Sequence, residues 1–232
     1  MSQRTVAIIV AAGRGRRMGA EVPKAFLSLL GEPILLRALR PFEACADVHR
    51  VLVVVPEELR SRAEEMLGSA SVTKLEAVIA GGPERTHSVF RALRAIPQDV
   101  ADIILVHDGV RPFVTPEEIA RVIARARATG AAILAVPLAE TVKEVEDERI
   151  VSTLDRRRLY LAQTPQAFRA TILREAYERA MREGIVATDD AALVERCGWP
   201  VFIVAGSARN LKITWPEDLF MAEALLRAQE GR

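Results

Sequence analysis

Short runs of aliphatic and β-branched residues alternate along the chain with longer stretches whose apolar positions recur at helical spacing. The runs Val6 to Val10, Val51 to Val55, Leu75 to Ile79, Ile103 to Val106, Ala132 to Val136 and Val201 to Val204 predict strands. Helices are predicted at Leu35 to Ala44, Glu57 to Leu67, Glu84 to Ala95, Pro116 to Ala128, Ala170 to Arg182, Asp189 to Arg196 and Pro216 to Ala228. Pro116 and Pro216 follow Thr115 and Trp215 at positions where a first helical turn tolerates proline. Strands alternating with helices predict an α/β fold, a Rossmann-like, mostly parallel open sheet with helices on both faces. No repeat, low-complexity tract or linker interrupts the pattern, so residues 1–232 read as one domain.

One segment breaks the alternation. Thr141 to Val145 and Ile150 to Leu154 are short runs around the charged residues Glu146, Asp147, Glu148 and Arg149, the pattern of a β-hairpin. A two-stranded ribbon is marginal alone, so a hairpin protruding from an α/β domain needs something to pack against.

The first predicted strand runs straight into Ala11-Ala12-Gly13-Arg14-Gly15-Arg16-Arg17-Met18-Gly19, followed by Pro23-Lys24. Gly13 and Gly15 let the backbone approach a ligand and permit positive φ, so that consecutive N–H groups face an anion. Arg14, Arg16, Arg17 and Lys24 add positive charge, and a loop after a strand lies at the carboxyl edge of the sheet, the usual ligand crevice. A Walker loop is excluded, because the glycines are too close together and Lys24 is followed by Ala25. The dinucleotide fingerprint fits in part only: the third glycine falls at Met18, and three arginines would crowd a pyrophosphate that normally rests on bare backbone. A nucleoside triphosphate, with more charge, suits them better. Taken alone, the same segment reads as a basic surface loop between strand and helix.

The formal net charge is +1, which argues against a general nucleic-acid binder; the positive charge is local to motifs. Half of the residues are hydrophobic, ample for the core of one large domain. Of 32 basic residues only Lys24, Lys74, Lys143 and Lys212 are lysines, which singles out Lys24 and Lys212 inside motifs. Cys45 and Cys197 form no Cys-x-x-Cys pair or disulfide framework, as expected in a reducing cytosol. Arg4 before the apolar run to Ala12 loosely resembles a signal peptide, but the run is short and leads into arginines. No stretch approaches the roughly 18 apolar residues of a membrane span. A cytoplasmic protein with no membrane or nucleic-acid partner is expected.

Further blocks follow in order: Gly81-Gly82 with Arg85 and Ser88-Val89, His107-Asp108 with Arg111-Pro112, Asp155-Arg156, Thr164-Pro165-Gln166, Thr188-Asp189, and Asn210-Leu211-Lys212-Ile213-Thr214. The first loop resembles the signature of the sugar-phosphate nucleotidyltransferases. With the later blocks, from about residue 5 to about residue 225, the chain resembles the 2-C-methyl-D-erythritol 4-phosphate cytidylyltransferases. The resemblance implies transfer of CMP from CTP to that polyol phosphate, with release of pyrophosphate and Mg²⁺ or another divalent cation as cofactor. It implies that the backbone of Ala11, Ala12, Gly13 and Gly15 cradles the nucleotide and that Arg17 and Lys24 stabilise charge on the α-phosphate. Gly81, Gly82 and Ser88 then form the cytosine-reading segment, although Pro83 stands where some relatives have an acidic residue. Asp108 and Arg111 face the acceptor, with Gly109-Val110 where relatives often have two alanines. Thr141, Arg156, Thr164, Thr188 and Lys212 complete the acceptor site, Arg156 and Lys212 holding its phosphate. The segment of about 138–158 becomes an arm clasping a second subunit, implying a homodimer in which Arg156 serves the neighbouring site.

The chemistry asks for these residue types. A phosphate oxygen must attack the α-phosphorus in line, two anions must meet, and the nucleophile is already ionised near neutral pH. Catalysis then rests on positioning and charge neutralisation, which arginines, lysines and a metal ion supply. Asp108 at a strand's carboxyl end is the candidate metal ligand, directly or through water, or else a binder of a substrate hydroxyl or a partner of Arg111 in a buried ion pair. His107 reads as a packed or hydrogen-bonded residue. Without their neighbours, Gly81-Gly82 is an ordinary turn, Thr188-Asp189 a helix N-cap and Arg156-Arg157-Arg158 a solvated charge run. Alternative functions are a cytidylyltransferase for another polyol phosphate such as ribitol 5-phosphate, a nicotinamide-dependent oxidoreductase and a non-catalytic CTP-binding regulator. Ala11-Ala12-Gly13 favours the methylerythritol type over the ribitol type, where Ala-Gly-Gly is commoner. Met18 and the loop arginines disfavour the second alternative, and the full set of Arg17, Lys24, Arg156 and Lys212 disfavours the third.

Overall fold

The computed structural model describes residues 4–13, 22–70 and 72–230. Strand β1 (Thr5–Val10) is buried at every position because it lies inside the sheet with helices above and below. A small ribbon follows, β2 (Ser28–Leu29) and β3 (Glu32–Pro33), turned by Leu30 and Gly31, both at positive φ. The chain continues through α1 (Ile34–Ala44), β4 (Arg50–Val55), α2 (Arg60–Ser69), β5 (Leu75–Ala80), α3 (Arg85–Ala95), β6 (Ile103–Asp108), α4 (Pro116–Thr129) and β7 (Ala131–Pro137). After a hairpin, β8 (Lys143–Glu146) and β9 (Arg149–Thr153), come β10 (Tyr160–Arg169), α5 (Ala170–Glu183), α6 (Asp190–Arg196), β11 (Phe202–Ala205) and α7 (Pro216–Glu230). Among the described residues no helix is long and apolar enough to cross a membrane.

The main sheet has seven strands in the order β11-β7-β10-β6-β1-β4-β5. All neighbours pair in parallel except β10, which is antiparallel to both β6 and β7. The strand pattern in the sequence missed β10. Its residues lack a β-branched run, and Pro165 falls in a break of register between Ala162 and Gln166, where a missing N–H interrupts no ladder.

Side chains alternate along β1 between two cores. Ala7 and Ile9 pack with α1, α2, α4 and α7, while Val6, Ile8 and Val10 pack with α3, α5 and α6. The amphipathic pattern read in the sequence corresponds to these two layers. The predicted helix from Glu57 opens instead as a 3-10 turn, Glu57–Leu59, before α2 begins. Thr115 and Glu118 form a reciprocal capping box at the start of α4, with Pro116 in the first turn.

The hairpin lies outside both cores. Asp147 and Glu148 form its turn at positive φ, the backbone of a two-residue hairpin loop. Val145, Ile150 and Val151 are 53%, 58% and 46% exposed, so the ribbon buries little against its own chain. Leu138 N–H donates to Leu159 O at 3.0 Å, closing the base of this arm between β7 and β10.

Candidate active site

The parallel strands β1, β4, β5 and β6 all end on one edge, and their loops stay tied to the sheet. Ala11 N–H donates to Val54 O at 2.7 Å, Gly81 N–H to Val55 O at 2.8 Å and Gly109 N–H to Val10 O at 2.8 Å. The connections lead from β1 outward to β4 and β5 and then return to β6 on the other side, so the edge above β1 and β6 is a topological switch point. A cleft of about 870 Å³ opens there. It brings together Ala11, Ala12 and Gly13 with Lys24, Gly81, Gly82, Ser88, Asp108 and Lys212. Gly15 and Arg17 lie outside the described residues.

Close approach, not turn geometry, fixes Gly81 and Gly109, whereas a Cβ on Gly13 would meet nothing within 4 Å among the described residues. A Cβ on Gly81 would stand 2.3 Å from Cβ of Ala12, and one on Gly109 would stand 3.0 Å from Cβ of Ala11. Small residues therefore let the loop after β1 settle between its neighbours. Ser88 is buried; its hydroxyl accepts from Gly82 N–H at 3.0 Å and donates to Glu84 O at 3.0 Å. It shapes the Gly81-Gly82 turn from behind.

Asp108, the last residue of β6, is 6% exposed and meets three cations. Its Oδ1 lies 3.2 Å from Arg85 Nε, and its Oδ2 lies 2.8 Å from Lys212 Nζ and 3.6 Å from Arg111 Nε. Burial alone would raise the pKa of this carboxyl, but Arg85, Lys212 and Arg111 more than offset it and hold Asp108 ionised far below the usual carboxylate range. Lys212 reaches the cluster because its loop is docked on the sheet. Ile213 N–H donates to Val110 O, Arg111 Nη1 to Asn210 O at 2.8 Å, and Asn210 Nδ2 to Thr164 O at 2.9 Å.

Behind Asp108 runs a buried polar chain. Asp108 N–H donates to Thr164 Oγ1 at 3.0 Å, and Thr164 Oγ1 lies 3.1 Å from His107 Nδ1. His107 Nε2 lies 3.1 Å from the carbonyl of Arg111, which can only accept. Nε2 therefore carries the proton and Thr164 donates to Nδ1, so His107 is a neutral structural link. Burial drives its pKa down to about 4. Thr164 is buried with its hydroxyl engaged in this chain, beside the cleft and not in its lining.

Arg111 likewise stands beside the cleft lining, while Thr141, Arg156 and Thr188 are exposed and line no part of the cleft of this chain. Arg156 opens a 3-10 turn capped by Asp155, and its guanidinium donates to Ala139 O at the base of the arm. Thr188 precedes Asp189, whose side chain caps α6 by accepting from Ala192 N–H at 3.0 Å. The sequence reading underweighted a second buried group. Arg85 reaches past Asp108 to Asp190, with Nη2 2.7 Å from Oδ2, and the Tyr177 hydroxyl donates to the same carboxylate. Gln166 Oε1 accepts from the N–H groups of Asp190 and Ala191. Arg85 was visible as a motif residue, but Asp190 and Tyr177 lie far off in sequence and show no local signal.

The geometry is that of a small-residue segment, Ala11 to Gly13, at a sheet switch point facing a buried carboxylate that gathers cations. Comparisons with known proteins agree with it. Residues 5–228 match the sequence model of the 2-C-methyl-D-erythritol 4-phosphate cytidylyltransferases. A curated protein of that name from Syntrophus aciditrophicus (strain SB) is 44% identical over the whole of both chains. Another, from Pelotomaculum thermopropionicum, is 47% identical over 99% of this chain and 97% of its own. The crystal structure of a 4-diphosphocytidyl-2C-methyl-D-erythritol synthase from Anaerococcus prevotii superposes with a TM-score of 0.86 at 29% identity, covering 97% of this chain and 96% of the other. Motif order, sheet topology and full-length similarity converge: the chain belongs to the 2-C-methyl-D-erythritol 4-phosphate cytidylyltransferase family.

Proposed function

We propose that this chain transfers CMP from CTP to 2-C-methyl-D-erythritol 4-phosphate, giving 4-diphosphocytidyl-2-C-methyl-D-erythritol and pyrophosphate, a step in the non-mevalonate supply of isoprenoid precursors. The observation that carries the reading is the meeting, in one cleft, of the Ala11 to Gly13 backbone and Lys24 with the Asp108–Lys212 pair. The first two suit a triphosphate, and the lysine of the pair suits an acceptor phosphate.

The acceptor phosphate is the nucleophile and needs no general base. Its oxygen attacks the α-phosphorus of CTP as the bond to the β-phosphate oxygen breaks, and pyrophosphate leaves with the electron pair. Lys24 and Arg17 neutralise the charge that builds on the α-phosphate. Lys212 and Arg111, anchored by Asp108, receive the acceptor, and Arg156 is assigned to the same phosphate from the arm. Thr141 and Thr188 are assigned to the polyol hydroxyls, and Gly81, Gly82 and Ser88 to the cytosine edge.

A divalent cation is part of the proposal, as Mg²⁺ carried on the triphosphate. Among the described residues no group of three or more His, Cys, Asp or Glu is placed to hold a metal. The oxygens of Asp108 already face three cations, a poor seat for direct Mg²⁺ ligation, so any contact from Asp108 is through water. A homodimer joined through the arm and a cytoplasmic setting complete the reading; the exposed apolar ribbon supports the first and the free cysteines Cys45 and Cys197 the second.

Pyrophosphate release with CTP and Mg²⁺ tests this, comparing methylerythritol 4-phosphate with ribitol 5-phosphate. Release with the first acceptor, abolished by EDTA, is the expected result. Release with ribitol phosphate alone would reassign the acceptor, and CTP binding with no release would make the chain a regulator.

A further inference from the structure

Arg85 is shared between two carboxylates that lie on different structural layers. Its Nε meets Asp108 at the end of β6, and its Nη2 meets Asp190 in the first turn of α6. Asp190 is fully buried, and its other oxygen is held by the hydroxyl of Tyr177, itself 1% exposed on α5. Neither Asp190 nor Tyr177 lines the cleft. One guanidinium therefore serves two buried anions, and Asp108 makes up its balance from Lys212 and Arg111. A buried carboxylate that loses one partner must draw harder on those that remain, because desolvation leaves it no water to turn to.

We infer that the Tyr177–Asp190–Arg85 chain is a positioning device that sets how tightly Asp108 holds Lys212, and through it how available that lysine is to the acceptor phosphate. The inference rests on the proposed function for the identity of the acceptor only. Two remote changes should act in opposite directions. Tyr177→Phe strips a donor from Asp190, which then claims more of Arg85; Asp108 tightens on Lys212 and withholds it. Asp190→Asn removes the competing charge, Arg85 turns to Asp108, and Lys212 is released.

Two readouts on the full-length protein test this. The first is the KM for methylerythritol phosphate set against the KM for CTP and kcat. The second is the rate at which Lys212 is modified by an amine-reactive ester, followed by peptide mass spectrometry; the chain has four lysines, and exposed Lys143 on the arm serves as the internal reference. Tyr177→Phe should raise the acceptor KM roughly five-fold and slow Lys212 modification, leaving the KM for CTP and kcat in place. Asp190→Asn should lower that KM and speed Lys212. An unchanged Lys212 rate in a folded Tyr177→Phe protein overturns the inference. So do changes of the same sign in both variants or a rise at every lysine, which would mark simple loosening of the fold. If the wild type fails to use methylerythritol phosphate while the two Lys212 rates still diverge, the acceptor reading falls and the positioning device stands.

Discussion

The Nζ of Lys212 lies 2.8 Å from Oδ2 of Asp108, joining the loop before α7 to the carboxyl end of β6. Asp108 keeps Arg85 and Arg111 when this lysine is removed, so the pair can be cut without stranding a buried charge. Lys212→Ala should fold normally and lose roughly 100-fold in kcat/KM for the acceptor, the cost of one charged contact to a phosphate in a water-poor site. Steady-state kinetics beside a thermal melt check both halves of that statement, and a matching loss in the KM for CTP would contradict it.

Lys24 lines the same cleft, on the side proposed to take the nucleotide. Lys24→Ala should lower kcat by at least roughly 100-fold, about 3 kcal/mol of barrier, with CTP binding weakened far less. Calorimetric titration of CTP separates the two effects. Equal losses in binding and turnover would mean that the charge acts on the ground state.

His107 makes stability depend on pH in a defined window. Its pKa in the folded protein is about 4, below the ordinary 6.5, so between these values the unfolded chain takes up a proton that the folded chain refuses. The contribution is complete above about pH 6.5 and disappears as pH falls through 4, a loss of about 3 kcal/mol. Urea unfolding from pH 7 to pH 4 should show that slope, and His107→Gln should flatten it.

Gly81→Ala should disturb the nucleotide side selectively. The new methyl group meets Cβ of Ala12 at 2.3 Å, so the loop after β1 must move outward. An increase of roughly ten-fold in the KM for CTP is expected, within the cost of overpacking a tight contact. An unchanged KM would show that the loop tolerates the displacement.

The proposed dimer covers Val145, Ile150 and Val151, which stand exposed on the arm of the single chain. Val145→Asp combined with Ile150→Asp should convert a dimer into a monomer in sedimentation velocity, since both side chains stand more than half exposed on the single chain. Mixing Arg156→Ala with Lys212→Ala subunits then reads out the role of the arm. If Arg156 serves the neighbouring cleft, one of the two sites in the mixed dimer is intact and activity returns; if it serves its own, none does.

The parallel half of the sheet was legible because each strand there is a continuous aliphatic run, and the helices because their apolar faces repeat. β10 was not, since a strand built from Tyr160-Leu-Ala-Gln-Thr-Pro-Gln is recognised by its neighbours β6 and β7, not by its own pattern. The cleft residues Ala11, Gly13, Lys24, Gly81, Asp108 and Lys212 were readable as motifs. The buried groups behind Arg85 were less so: Asp190 and Tyr177 are linked to Asp108 through it across more than 60 positions of chain, a distance that spacing rules do not span. Thr164 and Ser88 read as ligand contacts in the sequence; what it could not give is that the Thr164 hydroxyl also links Asp108 to His107 and that the Ser88 hydroxyl, at the cleft wall, also binds Gly82 N–H.

The hydrogen bond between Leu138 and Leu159 means that the chain leaves the sheet and re-enters it at one point. From the side of β7 and β10 the arm is a closed loop, and their pairing from Tyr160↔Pro137 downward does not depend on what lies between. Sheet and arm are thus separate parts of one fold, joined in the proposed function only through Thr141 and Arg156, which the arm carries. The tip between them, Lys143 to Thr153, can be recut in length or sequence, and the proposed mode of assembly rewritten, while the cleft, which no residue of that tip lines, keeps its shape.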